Sequence, residues 1–307
     1  MTKIKNILFL LLFISFGFAE INLFRVKNIK LYTENYPWLD ELHLQVDGAA
    51  RKGLNNTLIT ISIYHETQRV RWYDVLVKNV DGRLVFGGKW GPINNGVEEI
   101  QAGVYTVKVE VSLEKQSRKM FQLLTTKLRG QKIKAFEKKF PIGSAARRKR
   151  EKKQNQQYYL EKIKTIQNIY EEMITNRNSV FRHIIKAKEK KMTIKQWRSW
   201  FNNSFNTRLT QLKQSLEKRE KQFFSLRYKT THDNIKLYCK FLKEMTVNYT
   251  KSFYEYYRKK SRYRPPYTNR QFTTHLRYIR QLHVESQKDM QIDLESKLGF
   301  MPPRTPY

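Results

Sequence analysis

From Ser144 to Arg264 the chain contains neither glycine nor proline, and nothing else in it constrains the fold as strongly. Apolar residues recur there at helical spacing. Leu160, Ile163, Ile166, Tyr170, Met173, Ile174, Phe181 and Ile184 share one side of a helix expected over about Glu151 to Lys190. Thr193 followed by Gln196 is a capping-box signal for a second helix. Phe205, Leu209, Leu212, Leu216, Phe223 and Leu226 give that helix a four-three seam. A third helix is expected from Thr231 or Asp233, with Ile235, Tyr238, Leu242, Met245, Tyr249 and Tyr256 inward and Phe253 beside them. After Pro265-Pro266, Thr268 and Gln271 form another capping box, and Phe272, Leu276, Ile279, Leu282, Met290 and Leu294 mark a fourth helix. Residues 144–300 therefore read as a long antiparallel α-helical bundle of coiled-coil-like character, with 301–307 a tail. Two extended coiled-coil hairpins are the rival arrangement.

Upstream of Gly143 the period is two. Gly103–Leu113 sets Tyr105, Val107, Val109 and Val111 on one face and Lys108 and Glu110 on the other. Thr57–His65 alternates similarly, and Asp81-Gly82 between Val70–Val80 and Arg83–Lys89 is a hairpin signal. With Ile21–Leu31, Glu41–Val46 and Lys132–Phe140, about seven short strands are expected. A short helix is expected within Gln116–Leu128, and Gly87-Gly88-Lys89-Trp90-Gly91-Pro92 reads as a loop. Residues 20–143 resemble the broad immunoglobulin- or fibronectin-type β-sandwich, in architecture and without a diagnostic motif. The fold class is thus α+β multidomain: an immunoglobulin-like β-sandwich, then helices.

Residues 1–19 read as a secretory signal peptide. Lys3 and Lys5 precede the short apolar run Ile7–Ile14, and Gly17 and Ala19 supply small residues for cleavage. The expected location is secreted, periplasmic or cell-surface, with an uncleaved anchor as the alternative. The lone Cys239 excludes an internal disulfide and lies on a helical pattern, where a buried, inert thiol is expected.

The formal net charge is +33, and residues 144–307 carry 38 basic against 14 acidic side chains, a net of +24. Such a surface attracts an anionic polymer or surface: an acidic glycan, a wall polymer or a lipid headgroup. Two basic runs are the candidate anion-binding residues. One is the elbow of Arg258, Lys259, Lys260, Arg262, Tyr263, Arg264 and Tyr267; the other is Arg147, Arg148, Lys149 and Arg150. Arg147–Arg150 also resembles a dibasic processing site. Nucleic acid is the weaker alternative partner, because export removes its usual targets, and the helices offer a route to a homo-oligomer.

Motifs for chemistry are missing. Six histidines show no metal-ligand spacing, no serine has a G-x-S-x-G context, and the adjacent carboxylates Asp40-Glu41, Glu98-Glu99 and Glu171-Glu172 point apart on strand or helix. No catalytic residue, cofactor site or metal site is expected. The sequence reads as an exported, non-catalytic binding or structural protein. An enzyme with its site between the domains and a self-assembling coiled-coil protein are the alternatives.

Overall fold

A computed structural model of the chain describes residues 20–37, 39–128, 131–185 and 191–260. The alternating stretches become ten strands among these residues: β1 (Glu20–Ile21), β2 (Phe24–Asn35), β3 (Asp40–Ala50), β4 (Leu58–His65), β5 (Gln68–Leu76), β6 (Lys78–Val80), β7 (Arg83–Trp90), β8 (Gly103–Glu110), β9 (Lys132–Ile133) and β10 (Phe136–Ile142). They build two four-stranded antiparallel sheets, ordered β2-β3-β7-β6 and β10-β8-β4-β5, and a short parallel pair of β1 with β9. Leu31, Leu42, Leu44 and Val46 of the first sheet share one apolar core with Ile59, Ile61, Ile63, Val107 and Val109 of the second. Each such side chain contributes about 1.5–3 kcal/mol on burial, so the shared core holds the sheets together. Helix α1 (Arg118–Leu128) adds Met120, Leu124 and Leu128 to it.

The Asp81-Gly82 hairpin forms as its residues require, with φ of 47° and 74°, and joins β6 to β7. Two expectations need correction. Val70–Val80 is not one strand: it divides at the buried Val77 into β5 of one sheet and β6 of the other. Val77 donates its N–H to Thr57 O and accepts from Asn56 N–H, so its backbone pairs outside both ladders. Gly87-Gly88-Lys89-Trp90 is not a loop but the end of β7. A Cβ at Gly87 would stand 2.0 Å from Val46 O, so the glycine permits a close strand approach rather than a turn.

The breaker-free region becomes α2 (Ala145–Ile185), α3 (Ile194–Trp200), a π-helical turn at Phe201–Phe205, α4 (Asn206–Gln222) and α5 (Lys229–Lys260). Thr193 caps α3 with both bonds of the capping box in place. Ile163, Ile166, Met173 and Val180 of α2, Trp197 of α3, Leu209, Leu212 and Leu216 of α4, and Ile235, Leu242, Met245 and Tyr249 of α5 form a second core. The break between the second and third helices lies at Phe223–Tyr228, upstream of the expected position. Tyr228 has φ 66°, and α5 begins immediately after it. The expected fourth helix and tail lie outside the described residues.

Two compact units result. Among the described residues, one comprises those from Glu20 to Arg148 together with Gln222–Ser225; the other comprises Lys149–Lys221 and those from Leu226 to Lys260. Gln222–Ser225 belongs to the first because Gln222 O accepts from Glu99 N–H, while Phe224 N–H donates to Glu99 O.

Candidate functional site

The first residues of β2, the last of β3 and the first of β10 enclose a groove of about 600 Å³ in the two-sheet unit. Its position follows from register: Phe24 pairs with Ala50 and Arg25 with Ala49, so small residues on β3 stand opposite larger ones on β2. Phe24, Val26, Phe136, Ala49, Ala50 and Ala135 supply its apolar lining. Phe24 is fixed by an edge contact to Phe86, with centroids 5.7 Å apart. Arg25, Arg51 and Lys134 are its basic lining residues, and none of the lining residues is acidic. The nearest carboxylate to the Lys134 ammonium is Glu20, at 4.0 Å, and that lysine side chain stays 58% exposed.

Both β2 and β10 are terminal strands of their sheets. Their outward positions carry further exposed lysines, Lys27 and Lys30 on β2 and Lys138 and Lys139 on β10. Lysines on an edge also block pairing with a second chain. The groove adds something that edge protection does not need: a concavity of ligand size lined by both apolar and basic residues. It suits an anionic group joined to an apolar one.

The basic residues singled out in the sequence fare differently. Arg147 is committed internally, with Nη1 3.1 Å from Asp40 Oδ2 and Nη2 donating to Ile100 O. Arg148 donates to Gly143 O. Lys149 and Arg150 are exposed on α2. Arg258, Lys259 and Lys260 are in the last turn of α5. Arg262, Tyr263, Arg264 and Tyr267 lie outside the described residues. The groove was missed because its residues come from three separate segments, 22–26, 49–51 and 134–136. Only the recurrence of a basic residue beside Phe or Ala in each hinted at it.

One pair resembles a nucleophile and its base. Ser225 Oγ lies 2.8 Å from His65 Nδ1 and 3.0 Å from Tyr105 Oη. Tyr105 donates to the carbonyl of Gln101 at 3.0 Å, and its ring stacks on His65 with centroids 4.4 Å apart. A consistent proton order runs from His65 Nδ1–H to Ser225, from Ser225 to Tyr105 and from Tyr105 to Gln101. In that order the imidazole donates to the serine instead of accepting from it, the reverse of what activates a nucleophile. All three side chains are buried, at 2% exposure or less. This is an internal brace.

The sequence matches no protein-family model and no curated protein.

The helical unit holds a second polar cluster, buried at His232 and partly exposed at Glu220. His232 is fully buried, its Nδ1 3.3 Å from Tyr159 Oη, and burial lowers its pKa to about 4. Glu220 bonds Lys229 at 2.8 Å and Lys236 at 2.7 Å, which pull its carboxyl down to about 2. Burial pushes the Cys239 thiol up to about 12, leaving it unreactive. Among the described residues, Glu34, Glu41 and His43 are a cluster of metal-ligating types whose donor atoms all lie within 4.8 Å of one another.

Proposed function

We propose that the chain is an exported, non-catalytic binding protein whose two-sheet unit takes anionic groups of envelope polymers or lipid headgroups. The observation that supports this reading is a groove whose lining includes Arg25, Arg51 and Lys134 beside Phe24, Val26 and Phe136, and includes no acidic residue. The +33 net charge supports it by drawing polyanions toward the whole surface. The leader-like residues 1–19 supply the case for export. No helix among the described residues is long and apolar enough to cross a membrane. Lys149 and Arg150, with the elbow from Arg258 to Tyr267, are the further anion contacts in this reading.

The two-sheet unit is in this reading a β-sandwich of immunoglobulin type. Lettered A, B, C, C′, D, E, F and G, strands β2, β3, β4, β5, β6, β7, β8 and β10 stand in the orders A-B-E-D and G-F-C-C′. Tyr105, near the start of the F-like strand, bonds the carbonyl four residues upstream, as in a tyrosine corner. The shared core of α2, α4 and α5 supports an antiparallel, coiled-coil-like bundle for the helices.

The test uses the full-length mature chain and the triple variant Arg25→Glu/Arg51→Glu/Lys134→Glu. Co-sedimentation with vesicles rich in anionic lipid, with zwitterionic vesicles, and retention on immobilised heparin are compared. The variant is expected to lose ten-fold or more in affinity for the anionic vesicles or for heparin, whichever the wild type prefers. Unchanged binding to both would remove the groove from the proposal.

A further inference from the structure

On the outer face of the first sheet, three side chains are arranged differently from the groove. Glu34 of β2 pairs in register with Glu41 of β3, and His43 stands two residues further along β3, opposite Tyr32. Strand alternation therefore puts Glu34, Glu41 and His43 on one face. His43 Nε2 lies 3.3 Å from Glu41 Oε2 and 3.7 Å from Glu34 Oε2. That nitrogen is itself inaccessible to solvent and has no hydrogen-bond partner, although two carboxylates flank it.

The surroundings hold the imidazole in this pose. Tyr32 stacks on it, centroids 5.5 Å apart and planes 17° from parallel. Gly91 lies against the ring as well: a Cβ there would meet His43 Nδ1 at 2.0 Å. The buried Asn94 fixes the beginning of β3 by accepting from Leu42 N–H and donating to Asp40 O. Tyr36 Oη donates to Glu34 Oε2 at 3.2 Å, orienting the carboxylate as an outer partner orients a metal ligand.

We propose that Glu34, Glu41 and His43 bind one divalent transition-metal ion, with zinc the best fit. Two donor atoms bound tetrahedrally to zinc at about 2.0–2.2 Å stand about 3.4 Å apart. The separations of 3.3 and 3.7 Å from the imidazole nitrogen bracket that value. An imidazolium hydrogen-bonded to either carboxylate would need its N–H aimed at an oxygen, and neither contact has that geometry. A nitrogen donor also disfavours magnesium and calcium, which take oxygen ligands. Three protein ligands leave one position for water or a ligand from outside.

The experiment titrates cobalt(II), as a spectroscopic probe, and then zinc into the full-length mature protein at pH 7.5. One equivalent of cobalt is expected to give visible d–d bands that zinc displaces. His43→Ala and Glu34→Gln/Glu41→Gln are each expected to weaken zinc binding at least ten-fold. Gly91→Ala keeps all three ligands but pushes the ring away, and is expected to weaken it as well. Circular dichroism melts establish that each variant folds; the double Glu→Gln variant preserves side-chain shape and carries the test should His43→Ala not fold. A stoichiometry and affinity unchanged in the double variant would overturn the proposal. So would a His43 nitrogen resonance that responds to pH and ignores zinc, leaving an ion pair only.

Discussion

Ser225 and His65 are separated by 160 residues in the sequence and by 2.8 Å in space. The hydroxyl lies in the break between α4 and α5, and the imidazole ends β4, yet both belong to one compact unit. Replacing Ser225 with Ala leaves His65 Nδ1 and Tyr105 Oη without their shared partner in a dry interior. The expected loss is about 1–3 kcal/mol, read as a lower urea midpoint with an unchanged slope. A midpoint equal to wild type would show that the brace contributes nothing.

His232 makes the helical unit sensitive to acid. Its folded pKa of about 4 is depressed below an ordinary histidine value of about 6.5, so the unfolded chain binds the proton first. Its contribution is whole above pH 6.5 and falls away as the pH drops toward 4. His232→Gln should flatten the dependence of thermal stability on pH within that window. Glu220, with its carboxyl held near 2, adds a separate loss below about 4.5, and Glu220→Gln should remove that lower limb.

Trp197 is fully buried, donates its indole N–H to Thr250 Oγ1 at 2.8 Å and meets the Phe253 ring edge-on at 5.3 Å. Truncation to Ala opens a cavity and strands the threonine hydroxyl's partner site. A cost of about 3–5 kcal/mol is expected, with loss of near-ultraviolet circular dichroism before loss of helix signal. Retained aromatic dichroism at the wild-type melting temperature would contradict it.

At the start of α3 the stakes are smaller. Thr193→Ala removes the hydroxyl that accepts from Gln196 N–H. About 1 kcal/mol should be lost, and hydrogen exchange should rise at the first turn of that helix and not in α5.

Should the groove bind anions through Arg25, Arg51 and Lys134, its affinity must fall with salt, because these side chains are exposed and screening at 0.15 M acts over about 8 Å. Elution from heparin at the same salt for wild type and for Arg51→Glu would remove that arginine from the contact.

Local periodicity carried much of the architecture. Tyr105, Val107 and Val109 are buried as their alternation requires, and Ile235, Leu242, Met245 and Tyr249 line the helical core as their spacing requires. The Thr193 cap and the Asp81-Gly82 turn formed where their residues appear, because each is settled within four residues. What failed depended on distant partners. Val77 looked like one more residue of a strand; its pairing with Asn56 and Thr57 is what divides that strand between two sheets. Phe223 fitted the seam of a helix by spacing, but pairing with Glu99 takes it out of helical geometry. The groove and the Glu34–Glu41–His43 cluster were invisible for the same reason. Both arise from the β2–β3 register, and residue spacing along one strand says nothing about which residue of the next strand stands opposite.

The placement of Gln222–Ser225 bears on how such a chain can be divided. A coding sequence cut after Gly143 would not yield two self-sufficient modules, because its N-terminal product would lack the Ser225 hydroxyl that bridges His65 and Tyr105. The backbone of Glu99 would lose both partners as well. Proteolysis within Arg147–Arg150 is a different event: the nicked chain keeps every one of these residues, and the two fragments should elute together until denaturant is added. A segment from the second half of the chain thus completes the first unit, and residues 20–143 moved alone into another chain would lack it.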